Sequence, residues 1–213
     1  MRLGVKLKHL RMSILLLILC IHASTTRANS VNGYVLAIQM TPVSCLNSSK
    51  VKQRKCLEGY SLNIKGLFPE VNKRDCSTSS SPVLQPLQAK VVARVMPDEV
   101  ARQHLWRDIG GCVPMNASQY FRTVINYAER LSIPEVMTGQ ETKVVQLPAL
   151  RTMFARLNSG IPHNGIHFQC SHHRGVNYLS EVKICYTASG RFKSCPTEVS
   201  TNCPNSFTIK GSY

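Results

Sequence analysis

The stretch His104-Leu-Trp-Arg-Asp-Ile-Gly-Gly-Cys112 lies at the end of a segment that is bounded by helix signals. Met96-Pro-Asp-Glu99 is typical of a helix start, and Gly110-Gly111 is typical of a helix stop. A helix is therefore predicted from Asp98 to the two glycines, with a cysteine directly after it.

Three other segments have the character of β-strands. Residues 34–40 are rich in β-branched and apolar side chains, which favours a buried strand. Residues 60–65 alternate up to the breaker Gly66, where this strand is predicted to end. Residues 178–186 are predicted to form another strand, ahead of the turn at Ser189-Gly190.

The clearest helical pattern follows Asn116-Ala-Ser-Gln119, which has the sequence of a capping box. Apolar side chains recur at helical spacing through residues 120–131. Residues 147–157 are predicted as a further helix, and the Ser- and Pro-rich residues 75–86 as a loop. Strands and helices are interspersed without a regular βαβ repeat, so the predicted fold class is α+β.

The first 28 residues have the features of a secretory signal peptide. Basic residues precede a short apolar run, and Thr26-Arg27-Ala28 favours cleavage before Asn29, with a cut after Ala23 as the alternative. The apolar run is about half of the roughly 20 residues that a spanning helix needs. Residues 29–213 are predicted to form one exported domain, secreted or periplasmic, without a transmembrane segment.

The charge of the chain is strongly basic, with 26 Lys and Arg against 11 Asp and Glu. The predicted signal peptide contains five of the basic residues and no acidic one, which leaves a mature net charge of +10. Such a charge suits RNA or another polyanion through phosphate contacts, or an anionic membrane surface. The alternative is that the charge serves solubility alone.

Without Cys20, the mature chain has an even number of cysteines behind a signal peptide, which predicts disulfides in an oxidising compartment. A zinc site is disfavoured because no Cys-x-x-Cys occurs. The basic residues 47–55 are predicted as a loop that a bridge between Cys45 and Cys56 closes. The eight cysteines are Cys45, Cys56, Cys76, Cys112, Cys170, Cys185, Cys195 and Cys203.

Four stretches, in order, resemble the T2 family of secreted ribonucleases, most closely its bacterial, periplasmic ribonuclease I branch. Residues 34–40 resemble the opening strand of the family, and the tail from Cys170 to Ile209 resembles its terminal strands. Leu62-Asn-Ile-Lys-Gly-Leu-Phe-Pro69 is similar to the first active-site segment, which normally ends in His-Gly-Leu-Trp-Pro. The stretch from His104 to Cys112 is similar to the second segment, His-Glu-Trp-x-Lys-His-Gly-x-Cys.

The resemblance implies a central, mainly antiparallel sheet flanked by helices and stapled by disulfides. It implies bridges between Cys76 and Cys112, between Cys170 and Cys203, and between Cys185 and Cys195. It also implies cleavage of RNA through a 2′,3′-cyclic phosphate, with neither a metal nor another cofactor. We expect the chain to be a monomer.

The chain departs from the family at most of the positions that carry this chemistry. At the positions of the two catalytic histidines stand Lys65 and Ile109, whereas His104 is retained. The substrate-binding positions are Phe68 for tryptophan, Leu105 for glutamate, Asp108 for lysine, and the retained Trp106.

These departures bear directly on catalysis, because the reaction needs one group that takes the 2′-proton and another that protonates the leaving oxygen. Isoleucine carries no proton, and a lysine becomes a base near neutral pH only after strong desolvation or charge repulsion. Asp108 places a negative charge where the family holds the phosphate with a positive one. The loss of acid and base together should cost roughly 10⁴-fold or more, which predicts a pseudoenzyme.

Two other functions stay open at this point: an active endoribonuclease with a rearranged site, and an interaction or effector protein that does not act on RNA. The rearranged site would combine Lys65 with one of the histidines around Cys170, which could otherwise bind a metal or lie in a polar loop. These histidines are His163, His167, His172 and His173. His104 could equally be a phosphate ligand or a structural residue, and Trp106 is expected to be a packing residue.

Asn47 and Asn116 begin N-glycosylation sequons, which matter only in a eukaryotic secretory route.

Overall fold

Strands and helices are interspersed along the chain without regular alternation, as expected for an α+β protein. The computed structural model describes residues 31–46, 54–72 and 75–212, so the predicted signal peptide and most of the predicted loop at 47–55 lie outside the described residues. The elements in chain order are β1 (Gly33–Met40), α1 (Thr41–Ser44), α2 (Arg54–Leu57), β2 (Leu62–Pro69), α3 (Pro86–Ala93), α4 (Glu99–Ile109), α5 (Ala117–Glu129), β3 (Lys143–Gln146), α6 (Leu147–Leu157), β4 (Ile166–His173), β5 (Val176–Thr187) and β6 (Ser206–Ile209).

The strands of the described chain form one six-stranded sheet in the order β2-β1-β5-β6-β3, and β4 pairs with β5. All paired strands are antiparallel except β5 and β6, which meet in parallel at Tyr178 and Thr208. The mainly antiparallel sheet and the α+β class predicted from the sequence are therefore confirmed.

One face of this sheet packs against the hydrophobic core. Directly paired residues of an antiparallel sheet share a face, and residues two apart on a strand return to that face. Two rows on β1, β5 and β4 follow this rule, and no side chain in them is more than 2% exposed. The first row consists of Leu36, Ile184 and Ile166. The second row consists of Ile38, Val182 and Phe168.

Helix α5 covers this buried face and begins at the predicted capping box. Asn116 Oδ1 accepts a hydrogen bond from the backbone N–H of Gln119 at 2.9 Å, and Gln119 Oε1 accepts one from the backbone N–H of Asn116 at 3.0 Å. Farther along the helix, the ring of Tyr127 lies 6.0 Å from that of Tyr34 and 4.8 Å from that of Tyr186. Because Tyr34 and Tyr186 are a directly paired row of β1 and β5, these contacts place α5 on the core side of the sheet.

Helix α4 confirms the helix predicted from Asp98 to the two glycines. The Asp98 carboxylate caps its first turn by accepting a hydrogen bond from the backbone N–H of Ala101 at 3.1 Å. The buried residues of the helix are Arg102, Leu105, Trp106 and Ile109. This spacing of three and four residues is the stripe with which a helix packs on a core.

The structure corrects two of the sequence-based expectations. β2 continues to Pro69, so the strand does not end at Gly66. The segment Ile166–His173 is strand β4, so the polar-loop interpretation is wrong for the histidines at 167, 172 and 173. The predicted loop at 75–86 lacks regular structure until helix α3 begins at its last residue.

Four disulfides are present in the described chain, with sequence separations of 10 to 36 residues. They connect Cys45 with Cys56, Cys76 with Cys112, Cys170 with Cys203, and Cys185 with Cys195. The second of these fixes the end of helix α4 to the irregular segment before α3, and the last two fix residues 195–203 to strands β4 and β5.

Residues 200–203 cover the outer edge of β4. Thr201 Oγ1 accepts a hydrogen bond from the backbone N–H of Phe168, and the N–H of Asn202 donates to the Phe168 carbonyl, both at 3.2 Å. The Asn202 carboxamide accepts from the N–H of Cys170 at 2.6 Å and donates to its carbonyl at 3.3 Å. Polar groups that an edge strand would otherwise expose thus have partners within the same chain.

None of the helices in the part of the chain that the structure describes is long and apolar enough to cross a membrane.

Candidate functional site

A bulge in strand β2 presents Lys65. Gly66 pairs with Ala37 and Ile64 pairs with Ile38, so Lys65 is the extra residue between two consecutive pairs. Its side chain is 52% exposed. A bulge commonly redirects a side chain, and here it presents the lysine to solvent.

Lys65 forms an ion pair across the neighbouring strand. Its Nζ lies 2.9 Å from Oε2 of Glu181 on β5, and Nζ of Lys183 lies 3.7 Å from Oε1 of the same carboxylate. The Glu181 side chain is only 12% exposed. We call Lys65, Glu181 and Lys183 the lysine–glutamate cluster.

The cluster lies on the sheet face opposite the hydrophobic core. Glu181 is directly paired with Gln39 on β1 and with Gln169 on β4, and Lys183 is directly paired with His167 on β4. Lys55 extends this polar row, since its Nζ donates to Gln39 Oε1 at 2.8 Å. The face therefore carries several cationic or ionisable side chains around one nearly buried carboxylate.

Helix α4 meets strand β2 next to Lys65, so the two stretches that resemble active-site segments lie together. A Cβ atom at Gly66 would lie 3.0 Å from both methyl groups of Leu105 and 3.0 Å from Cζ of Phe68. The absence of a side chain at Gly66 is what allows this close approach. The junction between the two segments is consequently filled with apolar side chains.

Helix α4 divides the predicted site residues into a buried set and an exposed set. Leu105, Trp106 and Ile109 are 8%, 1% and 7% exposed and belong to the core. Trp106 Nε1 donates to Oγ of Ser80 at 3.0 Å, which fits a packing role. His104 and Asp108, by contrast, are exposed.

Of the four histidines around Cys170, His167 is the one that is directly paired with a residue of the cluster, Lys183. Its Nδ1 lies 3.1 Å from Thr201 Oγ1, and its Nε2 lies 3.2 Å from the carbonyl oxygen of Asn164. Partial burial lowers the pKa of His167, and the cations Arg151, His163 and Lys183 lower it further, against the hydrogen bond to Asn164. Among the described residues no group of three or more His, Cys, Asp or Glu side chains could hold a metal ion.

We expect His167 to make the fold less stable in acid. Its pKa in the folded state lies below the ordinary value of 6.5, so the unfolded chain binds the proton more readily. Stability is then fully present above pH 6.5 and falls as the pH drops through and below that value. Urea unfolding between neutral pH and pH 5 should show a smaller loss of stability for His167→Gln than for the wild type. Equal losses in the two proteins would contradict the assignment.

Sequence reasoning missed Glu181 and Lys183, although a signal for them is present. The two charged residues alternate with the apolar Val182 and Ile184 of a predicted strand, and this alternation places them on its polar face. This local alternation does not identify the partner of Glu181, because Lys65 is 116 positions away in the sequence.

The chain matches the profile of the Ribonuclease T2 family over residues 32–195, whereas no curated protein sequence gives a significant match. Among solved structures, a variant of RNase MC1, a ribonuclease from bitter gourd seeds, in complex with 5′-UMP is 16% identical with a TM-score of 0.64. That similarity covers 84% of this chain and 98% of the other.

Two further structures show the same fold. The self-incompatibility-associated SF11-RNase of Nicotiana alata is 13% identical with a TM-score of 0.62, over 83% of this chain and 96% of that one. RNase NT in complex with 5′-AMP is 15% identical with a TM-score of 0.66, over 86% and 100% of the two chains. Since the family profile spans most of the sequence, the chain belongs to the ribonuclease T2 family.

Proposed function

We propose that the protein is an exported member of the family that binds RNA or another polyanion on its polar sheet face and has lost most of its ribonuclease activity. The observation that carries the proposal is the ion pair between Lys65 and Glu181, which stands where the resemblance implies a catalytic histidine. The bacterial branch, the export and the monomeric state are parts of the same proposal.

The loss of catalysis follows from the groups that meet at the junction of β2 and α4. Nζ of Lys65 donates to Oε2 of Glu181 at 2.9 Å, and an ammonium group that donates in this way has no lone pair to accept the 2′-proton. Ile109 is buried and has no proton to give to the leaving oxygen. Leu105 supplies neither charge nor a hydrogen bond to a phosphate in the transition state.

Polyanion binding is supported by the charge and by its placement. The mature sequence has a net charge of +10 after removal of the predicted signal peptide. Lys65 and Lys183 lie on either side of Glu181, and His167 is paired with Lys183 on the same face. Lysine ammonium groups bind phosphates as point charges, and such contacts release counterions from the nucleic acid.

One observation favours the alternative of an active enzyme with a rearranged site. His167 lies on the same sheet face as Lys65, and a histidine with a lowered pKa can act as a general base. In that mechanism Lys65 would have to leave Glu181 and donate its proton to the leaving oxygen. Cleavage that His167→Gln abolishes would establish this alternative and refute the proposal of lost activity.

The proposal predicts that RNA affinity falls steeply with salt and rises when Glu181 is neutralised. Affinity for single-stranded RNA should drop several-fold between 50 and 200 mM salt, as phosphate contacts require. Glu181→Gln removes the carboxylate that repels phosphate beside the two lysines. We expect about five- to tenfold tighter binding at 50 mM salt, because one unit of net charge at the binding face has an effect comparable to one phosphate contact. Fluorescence anisotropy with a labelled oligonucleotide measures both effects.

The matched control is Glu141→Gln, which changes the charge equally but breaks an exposed ion pair with Lys143 on strand β3. This control should bind RNA like the wild type. Affinity that is independent of salt, or that rises equally in both variants, would show that the sheet face is not the binding surface.

A further inference from the structure

We propose that Arg174, in the turn between β4 and β5, is a second phosphate contact for the RNA strand that the lysine–glutamate cluster binds. The proposal rests on the proposed function and adds to it a binding residue and a direction for the strand. His173 and Val176 are the last directly paired residues of this hairpin, so Arg174 and Gly175 alone form its turn. We call these two residues the hairpin tip.

The backbone of the hairpin tip is one that arginine rarely adopts. The angle φ is +49° at Arg174 and +84° at Gly175, and two consecutive residues with positive φ are typical of the type I′ turn of a two-residue hairpin. Asn, Asp or Gly is the usual first residue of this turn, because most other side chains are strained in the left-handed region. An arginine is therefore held here at a cost in stability, and such positions cluster at functional sites.

The surroundings of the hairpin tip within the described chain do not account for an arginine. A Cβ atom built at Gly175 would meet nothing within 4 Å, so the tip projects into solvent. Arg174 is exposed, and none of the hydrogen bonds, ion pairs and ring contacts of the described residues involves its guanidinium group. The N–H donors of this group are thus available to an anion.

A polar row on β4 leads from the lysine–glutamate cluster towards the hairpin tip. The row starts at His167, which is directly paired with Lys183 of the cluster. Residues two apart on a strand share a face, so Gln169, Ser171 and His173 continue the row. The bulge in this strand pair inserts its extra residue into β5, which leaves the alternation along β4 intact. At about 3.3 Å per residue, the row is about 20 Å long.

The segment that contains this row has no acidic side chain. No Asp or Glu occurs between Glu141 and Glu181, so a phosphate strand that leaves the cluster along β4 meets only neutral or cationic side chains of this segment. A guanidinium group binds phosphate with two parallel N–H donors. At the roughly 3.4 Å axial rise per nucleotide of a stacked strand, about six nucleotides span the row. One RNA strand of this length contacts both the cluster and Arg174.

The experiment measures the affinity of the purified, oxidised protein for single-stranded RNA of about 3 and about 12 nucleotides by fluorescence anisotropy, because only the longer strand spans the row. Arg174→Asn should weaken binding of the longer strand about five- to tenfold at 50 mM salt. It should also reduce the slope of log affinity against log salt by about 0.7, the value of one phosphate contact on a single strand. The shorter strand should bind this variant and the wild type equally.

Two controls separate the lost contact from a folding defect and from net charge. Asparagine is a preferred residue in a type I′ turn, so Arg174→Asn should unfold thermally at the same temperature as the wild type or above it. Arg191→Asn makes the same substitution at an exposed arginine beyond the other end of β5. This control should bind both strands like the wild type.

Unchanged affinity of Arg174→Asn for the longer strand would overturn the proposal, and so would an equal loss in Arg191→Asn or an equal loss with the shorter strand. A lower unfolding temperature of Arg174→Asn would overturn the inference from backbone strain. Wild-type protein that binds neither strand would refute the proposed function itself, whereas a wild type that binds and an unaffected Arg174→Asn would refute the hairpin contact alone.

Discussion

The oxidised, purified protein should cleave RNA at a rate roughly 10⁴-fold or more below that of a family member with both catalytic histidines. A Lys65→His/Ile109→His double variant should release 2′,3′-cyclic phosphate ends at a measurable rate. The reason is geometric: Lys65 lies in the bulge beside Gly66, and Leu105, one helical turn before Ile109, packs against the same glycine. Two histidines at these positions would again supply a base and an acid.

The matched control for this experiment is Lys65→Gln/Ile109→Asn, which introduces polar side chains of similar size that transfer no proton. It should be as inactive as the wild type. Cyclic-phosphate release by the wild type that survives removal of trace nucleases would contradict the proposed loss of activity. A silent double-histidine variant that is folded and fully oxidised would show that the two positions do not form one site.

The second large effect is expected from Lys65→Gln/Lys183→Gln, which removes both positive charges beside Glu181. If each lysine makes one phosphate contact, affinity for single-stranded RNA at 50 mM salt should fall about 50-fold, and the slope of log affinity against log salt should become smaller by about 1.4. The remaining carboxylate would then repel phosphate. Anisotropy titrations over a series of salt concentrations give both quantities.

A variant with the same change in net charge separates local from global electrostatics. Lys90→Gln/Lys143→Gln removes two exposed lysines, one on helix α3 and one on edge strand β3. It should retain most of the affinity and most of the slope. Equal losses in the two double variants would mean that net charge alone drives binding and that the lysine–glutamate cluster has no special role.

Local signals were sufficient for the elements that carry a strong pattern. β1 is an apolar run that ends before Thr41-Pro42, and α5 has both a capping box and an apolar stripe, so sequence reasoning located both. β3 and β6 are four residues each, which is too short for a periodic pattern. Their pairing depends on residues far apart in the chain, and no local signal predicts it.

Gly66 shows why the end of β2 was predicted wrongly. A glycine inside a strand pattern marks either a strand end or a position where another group approaches closely. Here the second applies, because Leu105 and Phe68 occupy the space of a side chain. The candidate site, too, could be predicted only in part from the sequence. The family resemblance identified Lys65, but its partner Glu181 is determined by the order of strands in the sheet.

The segment along the outer edge of β4 determines how the protein should behave when its environment changes. Thr201 and Asn202 satisfy the edge of the strand at Phe168 and Cys170, and two disulfides hold the ends of that segment. In a reducing compartment the segment would be free to detach, and β4 would become a template on which further copies could add strands. Protein that is retained in a reducing compartment should therefore aggregate more readily than the oxidised protein, so its solubility depends on the compartment as well as on the sequence.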